Sequence, residues 1–327
     1  MEKAFKKTLT VIISIVLILS VAGCSGEKNE EKTVRVAALN GPTGMGMVKL
    51  IEDGSEGKTK LNYDFTLTGS PEDLNGKIIN GEVDIAAVPT NLAMVLHNRT
   101  DGQVKLAAVN TLGVLYLLEN GDSISTIEDL KGKTVNVSGK GSMPDFLFRY
   151  LLDKNNLKAG EDVTVDFTLE HADLSAAVAQ EDVEIALLPQ PHVTTAMMKN
   201  ENVKIALDIT KEWEKATDGK ELIMGVIIVQ KEFAEKNKEL LDKFLDEYKE
   251  SVNFVNSNTD EAAKLIEKYG ILPNAQVAKN AIPYSNIVYR DAIEAKESLQ
   301  EIYKILYSFE PNSVGGKIAD DGFYYKK

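Results

Sequence analysis

Thr43, Ser70, Thr90, Asn91, Ser138, Ser142, Gln190 and His192 all fall in short loops that carry glycine or proline, and Gly44, Met45 and Met143 sit beside them. Hydroxyls and amides in such a set hold a molecule by hydrogen bonds, and Lys140 is the one permanent cation among these loops. A bound oxyanion is ordinarily neutralised by the planar fork of arginine. The chain has four arginines, Arg35, Arg99, Arg149 and Arg290, and none lies in these loops. The set therefore suits a neutral or weakly charged small molecule, such as a small heterocycle, although helix N-termini can also receive an anion.

Covalent or metal chemistry finds no support. There is no Gly-x-Ser-x-Gly elbow and no Gly-x-x-x-x-Gly-Lys-Ser/Thr phosphate loop. His97, His171 and His192 share no recurring spacing with Met45, Met143 or Met224, which leaves a copper or zinc site unsupported. Asp84 and Glu184 precede apolar runs at matching places in the chain and read as structural rather than as a catalytic pair. The expectation is a protein that binds, with no cofactor and no metal, and not an enzyme.

The elements that must position these loops come from an internal repeat. Thr33-Val34-Arg35-Val36 leads to a glycine-bearing loop and a helix, as does Thr134-Val135-Asn136-Val137 about a hundred residues later. Asp64-Phe65-Thr66-Leu67 recurs letter for letter as Asp166-Phe167-Thr168-Leu169, and Val83-Asp84-Ile85-Ala86-Ala87-Val88-Pro89 is echoed by Val183-Glu184-Ile185-Ala186-Leu187-Leu188-Pro189. Each half alternates strands with helices, which implies parallel sheets covered on both faces. Ligands of such sheets bind outside the carboxyl ends of the strands, where the loops named above should lie. Thr43 and Ser142 are expected as helix N-caps, with Asp145 in the capping-box place of Ser142. Ser70 before Pro71, and the starts at Thr90 and Pro191, read as further helix beginnings. The apolar runs Thr111–Glu119 and Leu222–Gln230 read as strands that pass between two lobes, and two crossings would allow hinge closure over a ligand. Phe244, Tyr248, Val252 and Val255 follow helical spacing, and further helices are expected over 260–269, ended by Gly270, and over 294–309.

The ends and the charge bound the setting. Lys3, Lys6 and Lys7 precede an apolar run from Leu9 to Ala22, which meets Val21-Ala22-Gly23-Cys24, a secretory-signal pattern too short to span a bilayer comfortably. Cys24 is the single cysteine of the chain, so no disulfide can form within it. Residues 24–32 read as a flexible tether. A formal net charge of −13 argues against nucleic acid, whose binding rests on Lys and Arg.

Val21-Ala22-Gly23-Cys24 resembles the lipobox of bacterial lipoproteins, in which the cysteine carries the lipid. Asp129-Leu130-Lys131-Gly132-Lys133-Thr134-Val135 resembles the segment opening the second lobe in ABC-transporter solute-binding proteins of the nitrate, sulfonate, taurine and thiamine-pyrimidine group. Ser251 to Asn258, Glu261-Ala262-Ala263 and Lys268-Tyr269-Gly270 are similar to their C-terminal helix pair, and Gly315-Gly316-Lys317 with Phe323-Tyr324-Tyr325 resembles a Gram-positive subgroup. The resemblance implies a bilobal periplasmic-binding-protein fold of the second topological type, with two α/β lobes joined by two crossover strands. Its lobes would be 33–115 with 226–327, and 116–225, after a signal peptide over 1–23. It further implies a monomer on the extracytoplasmic face of the cell membrane, partnered by a permease and an ATPase, with a thiamine-pyrimidine precursor or a small sulfonate as ligand. A surface receptor or adhesin displaying the same fold to a protein partner is the alternative.

Overall fold

The computed structural model describes residues 32–327. The signal segment, Cys24 and all but the last residue of the tether lie outside the described residues.

The first repeat folds as β1 (Val34–Leu39), α1 (Pro42–Met45), α2 (Val48–Ser55), β2 (Tyr63–Thr68), α3 (Pro71–Ile79), β3 (Ile85–Pro89), α4 (Thr90–Arg99) and β4 (Val104–Leu112). The chain then crosses at Gly113–Val114 into β5 (Leu115–Asn120), β6 (Thr134–Val137), α5 (Met143–Lys154), β7 (Thr164–Asp166), α6 (His171–Ala179), β8 (Ile185–Pro189), α7 (His192–Lys199), β9 (Val203–Asp208) and α8 (Ile209–Ala216). It returns as β10 (Ile223–Gln230), followed by α9 (Lys231–Lys236), α10 (Lys238–Ser257), α11 (Thr259–Lys268), α12 (Ala275–Ala281), β11 (Ile287–Asp291) and α13 (Lys296–Phe309).

Two sheets result, ordered β11-β4-β10-β3-β1-β2 and β7-β6-β8-β5-β9. In both, three parallel strands from the repeat meet an antiparallel strand: β10 beside β3 in the first, β5 beside β8 in the second. Each of these antiparallel strands follows a crossing, so the chain visits each lobe to complete its sheet. The bilobal α/β fold expected from the repeat is the fold observed.

Central strands such as Ile85–Val88 and Ile185–Leu188 are buried throughout, because helices cover both faces. Met47, Val48, Phe244, Tyr248 and Ile266 fill one face of the first sheet, and Leu174, Val178, Val193 and Ala196 one face of the second. The remaining faces share a single apolar cluster. It runs from Leu74, Met94 and Tyr303 to Leu147, Leu151 and Trp213, and Tyr150 packs against both Trp213 and Phe309. Each such side chain withdrawn from water contributes about 1.5–3 kcal/mol before entropy is counted. Among the described residues, the buried members of these clusters run from Val34 to Tyr325.

The acids singled out in the repeat do structural work or none. Asp84 accepts from Arg35 Nη2 at 2.7 Å, from its Nε at 3.1 Å and from its backbone N–H at 2.9 Å, clamping the amino end of β3 to β1. Glu184 is exposed. α10 buries Phe244, Tyr248, Val252 and Val255, as the spacing predicts, and Gly270 follows α11 with φ of 67°.

Candidate functional site

The carboxyl ends of β3 and β8 point at one crossover. Pro89 at the end of β3 lies beside Gly225, and Gly225 beside Thr111. Pro189 at the end of β8 lies beside Leu115, and the Gln190 N–H donates to Val114 O at 2.9 Å. The loops opening α4 and α7 therefore meet on either side of Gly113–Val114. A Cβ on Gly113 would overlap the Thr210 hydroxyl from the start of α8, so glycine lets the two lobes approach here. Asn286 braces the same turn, donating through Nδ2 to Gly113 O at 2.5 Å, while its carbonyl accepts from Leu112 N–H at 3.0 Å.

On the first lobe, several polar atoms at this strand end are buried without a partner. They are Thr90 Oγ1, Asn91 Oδ1 and Thr111 Oγ1, with Thr210 Oγ1 from the facing lobe, and the Asn110 amide has only the Tyr248 hydroxyl beside it. Thr90 and Asn110 are 0 % exposed. The free Asn91 oxygen is held in place by its own amide, which donates to Ser313 O at 3.2 Å. Buried polar atoms without partners are rare enough that a cluster of them at one strand end calls for an occupant.

On the second lobe Ser138, His171 and Gln190 are already engaged. Ser138 Oγ is hydrogen-bonded to His171 Nδ1, and the His171 and His192 rings lie 5.3 Å apart at 34°. Burial pushes the His171 imidazole below the usual histidine range, with Glu170 acting the other way. Burial, then the neighbouring His171 ring, takes His192 down to about 4. Both shifts favour the neutral ring. Gln190 Oε1 accepts from Thr194 Oγ1 at 2.8 Å and from its N–H at 3.3 Å, and a cis peptide joins Gln190 to Pro191. Lys140 reaches over the Phe167 ring at 5.8 Å.

The expected site residues divide accordingly. Thr90, Asn91, Ser138, Gln190 and His192 lie at the converging strand ends, and Ser70 follows β2 in the first lobe. Ser70 does cap α3, accepting from Asp73 N–H at 3.1 Å. Thr43 is not an N-cap. Pro42 starts α1 one residue earlier, Gly41 takes the cap position, and the Thr43 hydroxyl turns back to Leu39 O at 2.9 Å. Ser142 holds the N-cap position of α5, yet its hydroxyl donates to Gly139 O at 2.5 Å instead of capping. Asp145 closes that loop through Gly141 N–H at 2.8 Å and is itself bound by Arg149 Nε at 2.6 Å. At α4 and α7 the cap positions fall to Pro89 and Pro191, with no side-chain cap. Gly44 is buried within α1, where a Cβ would stand 2.9 Å from Leu39 O. Met45 and Met143 are 0 % and 1 % exposed and pack in the apolar clusters.

Asn110, Thr111, Thr210 and His171 were not among the expected residues. Asn110-Thr111 interrupts an otherwise apolar run, and His171 closely follows the repeated Asp-Phe-Thr-Leu, so these three have a signal in the sequence and Thr210 has none. Among the described residues, no group of three or more His, Cys, Asp or Glu side chains is placed to hold a metal, and no helix is long and apolar enough to cross a membrane.

Known structures share this architecture. An ABC transporter protein from Parabacteroides distasonis superposes with a TM-score of 0.76 at 24% identity, covering 90% of this chain and 99% of that one. The periplasmic aliphatic sulphonate binding protein SsuA from Escherichia coli gives 0.70 at 18% identity over 90% of this chain and 92% of its own. The periplasmic nitrate-binding protein NrtA from Synechocystis PCC 6803 gives 0.61 at 13% identity, covering 87% of this chain and 84% of that one. At these identities the likeness establishes the fold. No curated protein matches by sequence. Residues 45–308 match the family described as menaquinone biosynthesis, which spans both sheets and both sets of loops. The chain belongs to that family, on the bilobal fold of periplasmic solute-binding proteins.

Proposed function

We propose that this protein is the extracytoplasmic solute-binding component of an ABC importer, a monomer tethered to the membrane by a lipid on Cys24, which captures a small uncharged molecule between its lobes and presents it to a permease. In this reading the lobes are close to 33–115 with 226–327, and 116–225, with Leu115 going to the second lobe and Ile223–Gly225 to the first, where their strands pair. The observation that carries it is the convergence of the β3 and β8 carboxyl ends on one crossover, lined by polar atoms without partners. The fold shared with sulphonate- and nitrate-binding proteins supports the transport role. An uncharged ligand is favoured over an anion by where the arginines stand. Arg35, Arg149 and Arg290 are paired with Asp84, Asp145 and Glu221, and Arg99 closes the far end of α4 from Thr90.

Thermal unfolding of residues 25–327 against a metabolite panel tests the proposal. The panel would hold thiamine pyrimidines, purines, amino acids, alkylsulfonates and nitrate. A ligand at a hundred times its Kd adds about 2.7 kcal/mol of stability, a shift of several degrees. Shifts confined to one chemical class support the reading, whereas a ligand-free protein unmoved by every compound contradicts it.

The family description favours a second reading, an enzyme of quinone biosynthesis that holds its substrate in the same cleft. Ser138 and His171 would then supply a hydroxyl beside a neutral base. Recovery of a bound compound chemically unchanged after prolonged incubation decides for binding, and its conversion decides for the enzyme.

A further inference from the structure

We infer that Asn110 and Tyr248 form the floor of the ligand site in the first lobe and select an uncharged molecule that presents a hydrogen-bond donor next to an acceptor, as on the lactam or amidine edge of a nitrogen heterocycle. This rests on the binding-protein reading and deepens it. Both side chains are 0 % exposed, and beyond each other the Asn110 amide and the Tyr248 hydroxyl have no hydrogen-bond partner. The two groups come from strand β4 and helix α10; burial pushes the Tyr248 phenol up, and its hydrogen bond with the Asn110 amide acts the other way. Each unpartnered buried group costs stability that an apolar residue of similar shape would not.

Two glycines make room for them. A Cβ at Gly46 would stand 2.9 Å from the Tyr248 hydroxyl, and one at Gly225 would stand 2.5 Å from Asn110 Oδ1. Gly46 has φ of −63°, and Gly225 is not among the positive-φ residues, so neither position demands glycine for its backbone. What they supply is space around the two polar ends. Ser251 fixes that space, donating to Gly46 O at 2.8 Å and accepting from Leu50 N–H at 3.2 Å. Gly225 also lies in the row with Pro89 and Thr111 at the carboxyl end of β3, which joins this floor to the cleft.

The chemistry of the floor sets the class. With one amide hydrogen turned to the phenol oxygen, Asn110 keeps its acceptor and one donor free, and Tyr248 keeps its own hydrogen to donate. Among the described residues no arginine or lysine is paired with them, and an anion buried on such groups would lack the compensating charge that burial requires. A neutral donor beside a neutral acceptor on the ligand meets the free amide oxygen and one of the free donors. A structural water is the competing occupant.

Calorimetric titration of residues 25–327 separates these. The probes are cytosine, 4-aminopyrimidine-5-methanol and nicotinamide, each with its N-methylated counterpart, and ethanesulfonate and nitrate as anions. We expect at least one heterocycle to bind, methylation of its edge to weaken it about tenfold, and Tyr248→Phe to do the same. Asn110→Leu should weaken binding further while leaving the melting temperature of the empty protein unchanged or higher. Should a variant fail to fold, the methylated series on the unaltered protein still decides. Heterocycle binding that survives both substitutions and methylation overturns the inference in favour of a structural water, with the binding-protein reading intact. Binding of an anion but no heterocycle does the same, and a protein that takes no probe at all overturns both.

Discussion

The two lobes are built to one plan and finished differently. Both run strand, helix, strand, helix, strand, and both set an antiparallel strand against the third parallel one. Opposite Pro89 in the first lobe stands Gly225. Opposite Pro189 in the second stands Leu115, which is 0 % exposed and fills the equivalent space. Around the glycine, Asn110, Thr111 and Thr90 keep unused hydrogen-bonding capacity. Around the leucine, Ser138 is bound to His171 and Gln190 to Thr194. A duplicated scaffold thus yields one lobe with polar capacity to spare and one whose polar groups are preset. Under the proposed function, the first anchors the ligand and the second closes over it as a formed surface.

Installing the second lobe's residue in the first, Gly225→Leu, should have the largest effect. Overpacking against Asn110 and Thr111 should destabilise by about 3 kcal/mol in urea denaturation, with ligand shifts in the thermal panel abolished. Wild-type stability and binding would break the comparison. The repeat's two acids provide the next test. Asp84→Ala strips a clamp from a half-exposed arginine and should cost about 2 kcal/mol, while Glu184→Ala should stay within about 0.5 kcal/mol. Equal costs would mean that the two sheets start alike after all.

The histidine pair should give the second lobe a pH response of its own. The folded pKa of His192 lies near 4 against the ordinary 6.5, so the unfolded chain binds more protons between those values. Stability should then be complete above about pH 6.5 and fall as pH drops toward 4, by on the order of 1–2 kcal/mol allowing for the part of the ring that water reaches. His192→Gln should flatten that slope in chemical denaturation measured at pH 7 and pH 5, and an unaltered slope would place the response elsewhere. The smallest effect is expected at the helix starts. Ser70→Ala removes the α3 cap and should cost about 1 kcal/mol. Glu170→Ala, at the matching position of α6 where no side-chain cap exists, should be near neutral.

Most of the scaffold could be read from the chain alone, because the repeat encodes it locally. The repeated segments mark the parallel strands of both sheets, except that β7 ends at Asp166 and leaves Phe167-Thr168-Leu169 of the repeat beyond the strand, and the spacing of Phe244, Tyr248, Val252 and Val255 marks α10. The crossing was legible only in part. The run Thr111–Glu119 breaks at Gly113–Val114 into two strands of different sheets, and β10 lies wholly in the first sheet, so the return crossing falls between α8 and β10. Thr43 is displaced as a cap because Pro42 starts the helix one residue earlier, whereas Ser142 keeps the N-cap position and turns its hydroxyl to Gly139 O. The floor of the site was beyond a local reading. Gly46, Asn110, Gly225 and Tyr248 come from four separate segments and meet only once the first sheet is assembled under α10.

The most direct test of this division of labour is the amide spectrum of residues 25–327 with asparagine labelled with 15N, recorded with and without a saturating compound from the thermal panel. The account predicts that the Asn110 side-chain resonances shift strongly and their exchange with water slows. Unmoved Asn110 resonances, while Asn136 or Asn155 of the second lobe respond, would contradict it and place the ligand on the other lobe.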